Sequence, residues 1–282
     1  MPNQTLRSAV RRSSLLLAGA AVVTGISLAP QSDVARAHDV FHAAPKARFV
    51  VKPAHAVTIP VVVKPAAGAS TLLPVVDQSD IKPQHRMLAD QVLKALPRFC
   101  RDHLENFYVN YDPKAANRGL GGADTIIVIG TVPDNEFRAL VTHECGHVTD
   151  IGGIRGSSAS GVSGFLDGNT PVFNDDPSVA FYRISWVNSF VNHPGSKDSD
   201  FVSGYAETDP FEDFAESFAF YALQKKEFQR LAKTNPVLKA KYDFMDRVVF
   251  NGNPEFASSS YKRGGRVPWD VTKLPYVWHA KK

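Results

Sequence analysis

The stretch VTHECGHVTD, residues 141–150, sets two histidines four positions apart around a glutamate. On an α-helix, residues i and i+4 share a face, so His143 and His147 would present their imidazoles side by side, with Glu144 about 100° round the axis. Zinc binds neutral imidazole nitrogens at about 2.0–2.1 Å and keeps a position for water, whose proton a carboxylate beside the first histidine can take. His-Glu-x-x-His therefore predicts two metal ligands and a general base, Glu144. With nine histidines and eight glutamates in 282 residues, the pattern arises by chance in roughly one such chain per hundred. The surrounding sequence must supply the rest of a site.

A catalytic zinc needs a third protein ligand. The metzincin pattern asks for Gly and His three and six residues after His147, where this chain has Asp150 and Gly153. In EDFAESF, Glu212 and Glu216 are four apart and share a helix face, as the two histidines do. One could bind the metal while the other orients a histidine ring through its free N–H. The competing reading is a capping-box glutamate at 212 and a solvated one at 216.

VTHECGHVTD followed by SGYAETDPFEDFAESF resembles the zinc peptidases related to anthrax lethal factor and the secreted pro-pro endopeptidases, of gluzincin type. The shared features are His-Glu-x-Gly-His-x-x-Asp, Glu-x-Phe-Ala-Glu-x-Phe, and a tyrosine seven residues before the first glutamate of the second block. The resemblance covers about residues 83–250. It implies an α+β zincin-like domain, mostly helical, whose small sheet puts an edge strand beside the active-site helix. It further implies Zn2+ on His143, His147 and Glu212, Glu144 as base and acid, and Tyr205 steadying an oxyanion. Glu216 would support a ligand, and Asp150 would be a structural partner of the metal helix. The departures are Cys145 and a long insertion over residues 154–203. Neither removes a catalytic group, but the insertion prevents cleavage specificity from being carried over.

Elements that could position these groups are legible. RMLADQVLKAL has helical spacing, Pro97 opens a turn or helix to about Glu105, and FYVNY reads as a strand. NRGLGGAD reads as a glycine-rich loop. TIIVIG, residues 125–130, has strand composition and precedes a helix start near Asp134, leaving an extended edge where a peptide could add as a strand. Gly152-Gly153 should end the motif helix, residues 154–173 read as loop, and residues 178–190 as helix. TDPFEDFAESFAFYALQ predicts a helix capped by Asp209 with Pro210 at its first position. Trp269 and Trp278 read as packing anchors in a turn-rich tail.

The N-terminus reads as a signal peptide over residues 1–37: three arginines, an uncharged apolar run over residues 15–29, and the small-x-small Ala35-Arg36-Ala37. Arg11-Arg12 suggests the twin-arginine route, although the residues after them fit that pattern poorly. The run is shorter than the roughly 20 residues of a membrane-spanning helix, which argues against an uncleaved anchor and against a membrane span after processing. Residues 38–82, rich in Ala, Val and Pro, read as a linker or propeptide, and residues 83–282 as the zinc metallopeptidase domain. The net charge of +4 lies upstream, since residues 82–282 carry 24 basic and 24 acidic side chains. No basic-aromatic patch for nucleic acid remains. Cys100 and Cys145 could pair in an oxidising compartment or stand as two buried thiols. Cys145 lies about 200° round the helix from His143, facing away from the metal.

The sequence thus predicts a secreted or bacterial cell-envelope zinc endopeptidase acting on a peptide or protein substrate. The alternatives are a hydrolase of cell-wall peptides and a surface binding protein with a structural zinc. Oligomeric state is not legible.

Overall fold

Helices here start where proline or a short polar side chain satisfies the first turn. In the computed structural model, which describes residues 72–252 and 256–279, α1 (Pro83–Ala95) has proline in its first turn and buries Leu88, Ala89, Val92 and Leu93 along one stripe. Packing does not wait for Pro83, because Val76 and Ile81 are already in the core. The signal-peptide expectation, and the linker expectation up to residue 71, lie outside the described residues. No described helix is long and apolar enough to cross a membrane.

After α2 (Arg98–His103) come β1 (Asn106–Asn110), β2 (Gly119–Gly121) and β3 (Thr125–Ile129). They form a sheet in the order β1-β3-β2, parallel between β1 and β3 and antiparallel between β3 and β2. Alternation along the strands turns Phe107, Ile126 and Val128 into the core. Two expectations are corrected here. The glycine-rich stretch contributes a strand, and TIIVIG is the central strand, so the sheet's edges are β1 and β2, of which β2 lies over Glu144.

α3 (Asp134–His147) carries the motif, with Asp134 and Glu136 in its first turn facing the positive end of the helix dipole. From Ala139 to His147 every residue is buried, so the helix runs through the middle of the domain. It continues as π-helical turns over Val148–Gly153 and ends at the expected Gly-Gly.

The insertion is not a plain loop and helix. β4 (Val162–Asp167) and β5 (Thr170–Phe173) form a hairpin across Gly168-Asn169, where Gly168 has φ +57°. α4 (Pro177–Ser185) stops at Trp186, which is extended and opens β6 (Trp186–Asn188), paired with β7 (Val191–Asn192). The Asp-Gly turn signal was present at Asp167-Gly168, but glycine and serine diluted the flanking alternation. Aromatic and β-branched residues at 186–187 favour the strand that replaces the expected last helical turns.

α5 (Pro210–Ala232) begins as expected: Asp209 Oδ1 accepts from the backbone N–H groups of Phe211 and Glu212 at 2.8 and 2.9 Å, and Pro210 follows it. α6 (Pro236–Phe244) is capped by Asn235, and a last small ladder joins β8 (Ala257–Ser258) to β9 (Val277–Trp278). The architecture is mixed, of helices and small sheets, broadly α+β.

Cys100 on α2 and Cys145 on α3 are fully buried and disulfide-bonded, with Cα atoms 5.4 Å apart. The bond fastens the back of the motif helix. Closing a loop of 45 residues removes unfolded-state entropy worth about 4 kcal/mol at 25 °C. Cys100→Ala/Cys145→Ala is expected to be less stable by about 4 kcal/mol, seen as a lower denaturant midpoint. Equal midpoints for the two proteins would show that the bond constrains nothing.

Candidate metal centre

Two helices cross where one has glycine and the other only a methyl group. A Cβ added to Gly146 of α3 would stand 2.8 Å from the Cα of Ala215 on α5, so the backbones approach at that point. Gly146 lies between His143 and His147, and Ala215 between Glu212 and Glu216. The crossing therefore turns both imidazoles toward both carboxylates.

Glu212 Oε2 lies 3.2 Å from His143 Nε2 and 3.4 Å from His147 Nε2. Tetrahedral ligands at about 2.0–2.1 Å from zinc stand about 3.3 Å from one another. This oxygen is buried and accepts no hydrogen bond from the described residues, a costly condition for a carboxylate unless a cation lies against it. The donor set of two nitrogens and one oxygen also suits zinc.

Glu216, fully buried on the next turn, fixes the first histidine. Its Oε1 accepts from His143 Nδ1 at 2.9 Å, while Oε2 accepts from Ser203 Oγ at 2.5 Å and from the backbone N–H of Val271 at 3.0 Å. With the ring proton held on Nδ1, the Nε2 lone pair is left facing Glu212. Neither Glu212 nor Glu216 is the capping or solvated residue of the competing sequence reading.

Glu144 is buried as well, beneath β2. A Cβ on Gly119 would come within 1.9 Å of Glu144 Oε1, and one on Gly121 within 2.8 Å of Oε2 and 2.7 Å of His147 Cβ. Both glycines sit on the strand face turned to α3, and Leu120 between them points outward and is 43% exposed. Only a strand without side chains on that face can lie so close to the carboxylate.

Tyr205 reaches the same place from the turn before α5. Its hydroxyl donates to Glu212 Oε1 at 3.0 Å, and its ring stacks on His143 at 6.1 Å between centroids. Asp150, on the π-helical continuation of α3, accepts from the Tyr182 hydroxyl at 2.7 and 2.8 Å through its two oxygens. That partner comes from α4, inside the insertion. Sequence reasoning missed Ser203, Tyr182, Gly119, Gly121 and the Val271 N–H. Only the Gly-x-Gly spacing carried a signal, since the rest act through contacts between distant positions.

In the bare cluster, burial disfavours charge on both imidazoles, but at His143 the carboxylates of Glu212 and Glu216, with Glu144 nearby, outweigh it and raise the pKa well above the ordinary value. At His147, Glu212 outweighs burial in the same way. Burial also works to raise Glu212, yet the two imidazoles hold its carboxyl far below the usual carboxylate range. Glu144 moves up because burial dominates there, and Tyr205 for the same reason. The cluster as a whole draws in positive charge.

No family description, curated protein or solved structure matches this chain. The site is read from its own geometry.

His143, Glu144 and His147 also offer ligand atoms within 4.8 Å of one another, which makes Glu144 a competitor of Glu212. The separations and the unpartnered oxygen favour Glu212. Elemental analysis is expected to find about one zinc per chain in the wild type and in Glu144→Gln, and a large loss in Glu212→Ala. Loss from Glu144→Gln with retention by Glu212→Ala would reverse the assignment.

Proposed function

We propose that this protein is a secreted zinc-dependent endopeptidase with a zincin-like domain, similar to the lethal factor-like and pro-pro endopeptidase-like zinc peptidases. The observation that carries the reading is Glu212 Oε2, buried without a donor among the described residues and within 3.4 Å of two imidazole nitrogens. The disulfide supports an oxidising compartment, hence export to the medium or the cell envelope.

When bound, zinc would supply a Lewis acid and a more acidic water. His143, His147 and Glu212 would hold it, with His143 kept in its tautomer by Glu216. Glu144, next to that position and screened by β2, accepts the proton of the attacking water and passes it to the leaving amine. In the bare cluster burial, the largest influence on its carboxyl, raises its pKa, the direction that favours holding a proton. Tyr205, an O–H donor beside Glu212, can turn its hydroxyl to the oxygen on which negative charge develops. β2 is an edge strand beside Glu144, and its free side suits a substrate that pairs with it in extended form.

Glu144→Gln is expected to keep zinc and fold and to lose nearly all turnover, because the amide accepts no proton. Tyr205→Phe should lower kcat by about 10²–10³ with zinc affinity unchanged if the hydroxyl serves the oxyanion. A fall in zinc affinity would instead make Tyr205 a positioning residue for Glu212. Digesting a peptide library and purified cell envelope side by side separates a protein substrate from cell-wall cross-links. Cleavage by metal-loaded Glu144→Gln at the wild-type rate contradicts the mechanism.

A further inference from the structure

Trp269 was expected to be a packing anchor, and it is not one. Its side chain leaves the residue 60% exposed, whereas Trp278 is partly buried against the core. A tryptophan left open forfeits a large apolar burial, so its surroundings bear on what could cover it.

The main chain around Trp269 is pinned on every side. Its carbonyl accepts from the backbone N–H of Tyr205 at 2.8 Å, and the Pro268 carbonyl accepts from Gly204 at 2.8 Å. Two residues on, the Val271 N–H donates to Glu216, the carboxylate that orients His143. Between them, Asp270 pairs with Arg118, which also donates to Thr272 Oγ1 at 2.7 Å and to Glu136 at 3.0 Å. Arg118 immediately precedes β2, the strand over Glu144. The segment bearing Trp269 is thus tied to the support of His143 on one side and to β2 on the other, while Trp269 itself is largely exposed.

The ring lies close to the chemistry. One edge rests on the backbone of Gly204, where an added Cβ would come within 2.8 Å of Cε3, and its centroid is 6.2 Å from the Tyr205 ring, which itself stacks 6.1 Å from His143. His143, Tyr205 and Trp269 form a ladder of rings leading out of the metal centre. Two ring spacings correspond to no more than about four residues of extended chain at roughly 3.3 Å each.

We propose that Trp269 is a specificity-determining wall of the cleft, taking a large apolar or aromatic side chain of the substrate within about four residues of the bond that is cut. The inference rests on the peptidase reading of the neighbouring site. A flat indole on a held main chain selects by contact area and ring stacking and offers little to a small or charged side chain. Its held backbone means that little ordering cost is added when substrate arrives.

The test is a binding experiment that needs no turnover. Full-length, zinc-loaded Glu144→Gln protein is immobilised, offered a degenerate peptide mixture, and the captured peptides are sequenced. Phe, Tyr, Trp, Leu or Met should be enriched at one position. Adding Trp269→Ala should reduce that enrichment about ten-fold or more, while adding Trp269→Phe should preserve most of it. Zinc content and melting temperature establish that each variant is folded, and if the alanine protein fails to fold, Trp269→Ser and Trp269→Lys replace it. Unchanged enrichment in a folded alanine, serine or lysine variant overturns the proposal, as does capture with no apolar preference or no capture at all. Trp269-dependent capture by Glu144→Gln, combined with a wild-type protein that cleaves none of the captured peptides, would instead defeat the peptidase reading while leaving the subsite in place.

Discussion

Glu212 Oε2 faces two imidazole nitrogens at 3.2 and 3.4 Å in a buried position, with no hydrogen-bond donor among the described residues. Glu144 and Glu216 are buried within the same few residues. Burying so much negative charge beside two ring nitrogens is tolerable only with positive charge among them, whether protons or a divalent cation. The rest of the domain can be understood as the frame that keeps α3 and α5 close enough for this cluster to exist. The Gly146–Ala215 contact sets the approach, and any bulk there would part the imidazoles from the carboxylates.

Several buried links hold the frame. The Cys100–Cys145 bond fixes the far side of α3, and Tyr182 bound to Asp150 fixes its continuation. On α5, Asp213 follows Glu212 and forms a wholly buried ion pair with Lys241 of α6 at 2.7 Å, while also accepting from Trp186 Nε1 at 3.1 Å. Lys241 further donates to the Asp200 carbonyl at 3.1 Å and lies over the Phe201 ring. Burial lowers the pKa of Lys241 and raises that of Asp213, so removing either partner alone would strand a charge in the core. Through Asp200 and Phe201 the pair also anchors the segment that delivers Ser203 and Tyr205. Residues 154–203, which supply Tyr182 and Trp186, are therefore part of the frame rather than an ornament on it.

What the sequence made legible was local and periodic. The i, i+4 spacing of 143/147 and 212/216 placed four groups on two helix faces, and Asp209-Pro210 marked the start of the second helix because capping chemistry is local. The small elements were hidden. β2 is three residues long with glycine at both ends, a composition that reads as loop because the reason for glycine, clearance over Glu144, is tertiary. The β4–β5 and β6–β7 hairpins are short enough that neighbouring glycines, serines and helix formers obscured them. Supports such as Val271 N–H to Glu216, 55 positions apart, leave no pattern in a single sequence. The exposure of Trp269 was equally hidden, since a tryptophan in a turn-rich tail ordinarily packs inward.

Zinc K-edge X-ray absorption on the metal-loaded protein tests the central claim most directly, because it reads the ligands themselves. A shell of nitrogen and oxygen at about 2.0–2.1 Å with the outer scattering of two imidazoles is expected, lost in Glu212→Ala and retained in Glu144→Gln. A sulfur shell near about 2.3 Å, or a spectrum without imidazole scattering, would contradict it.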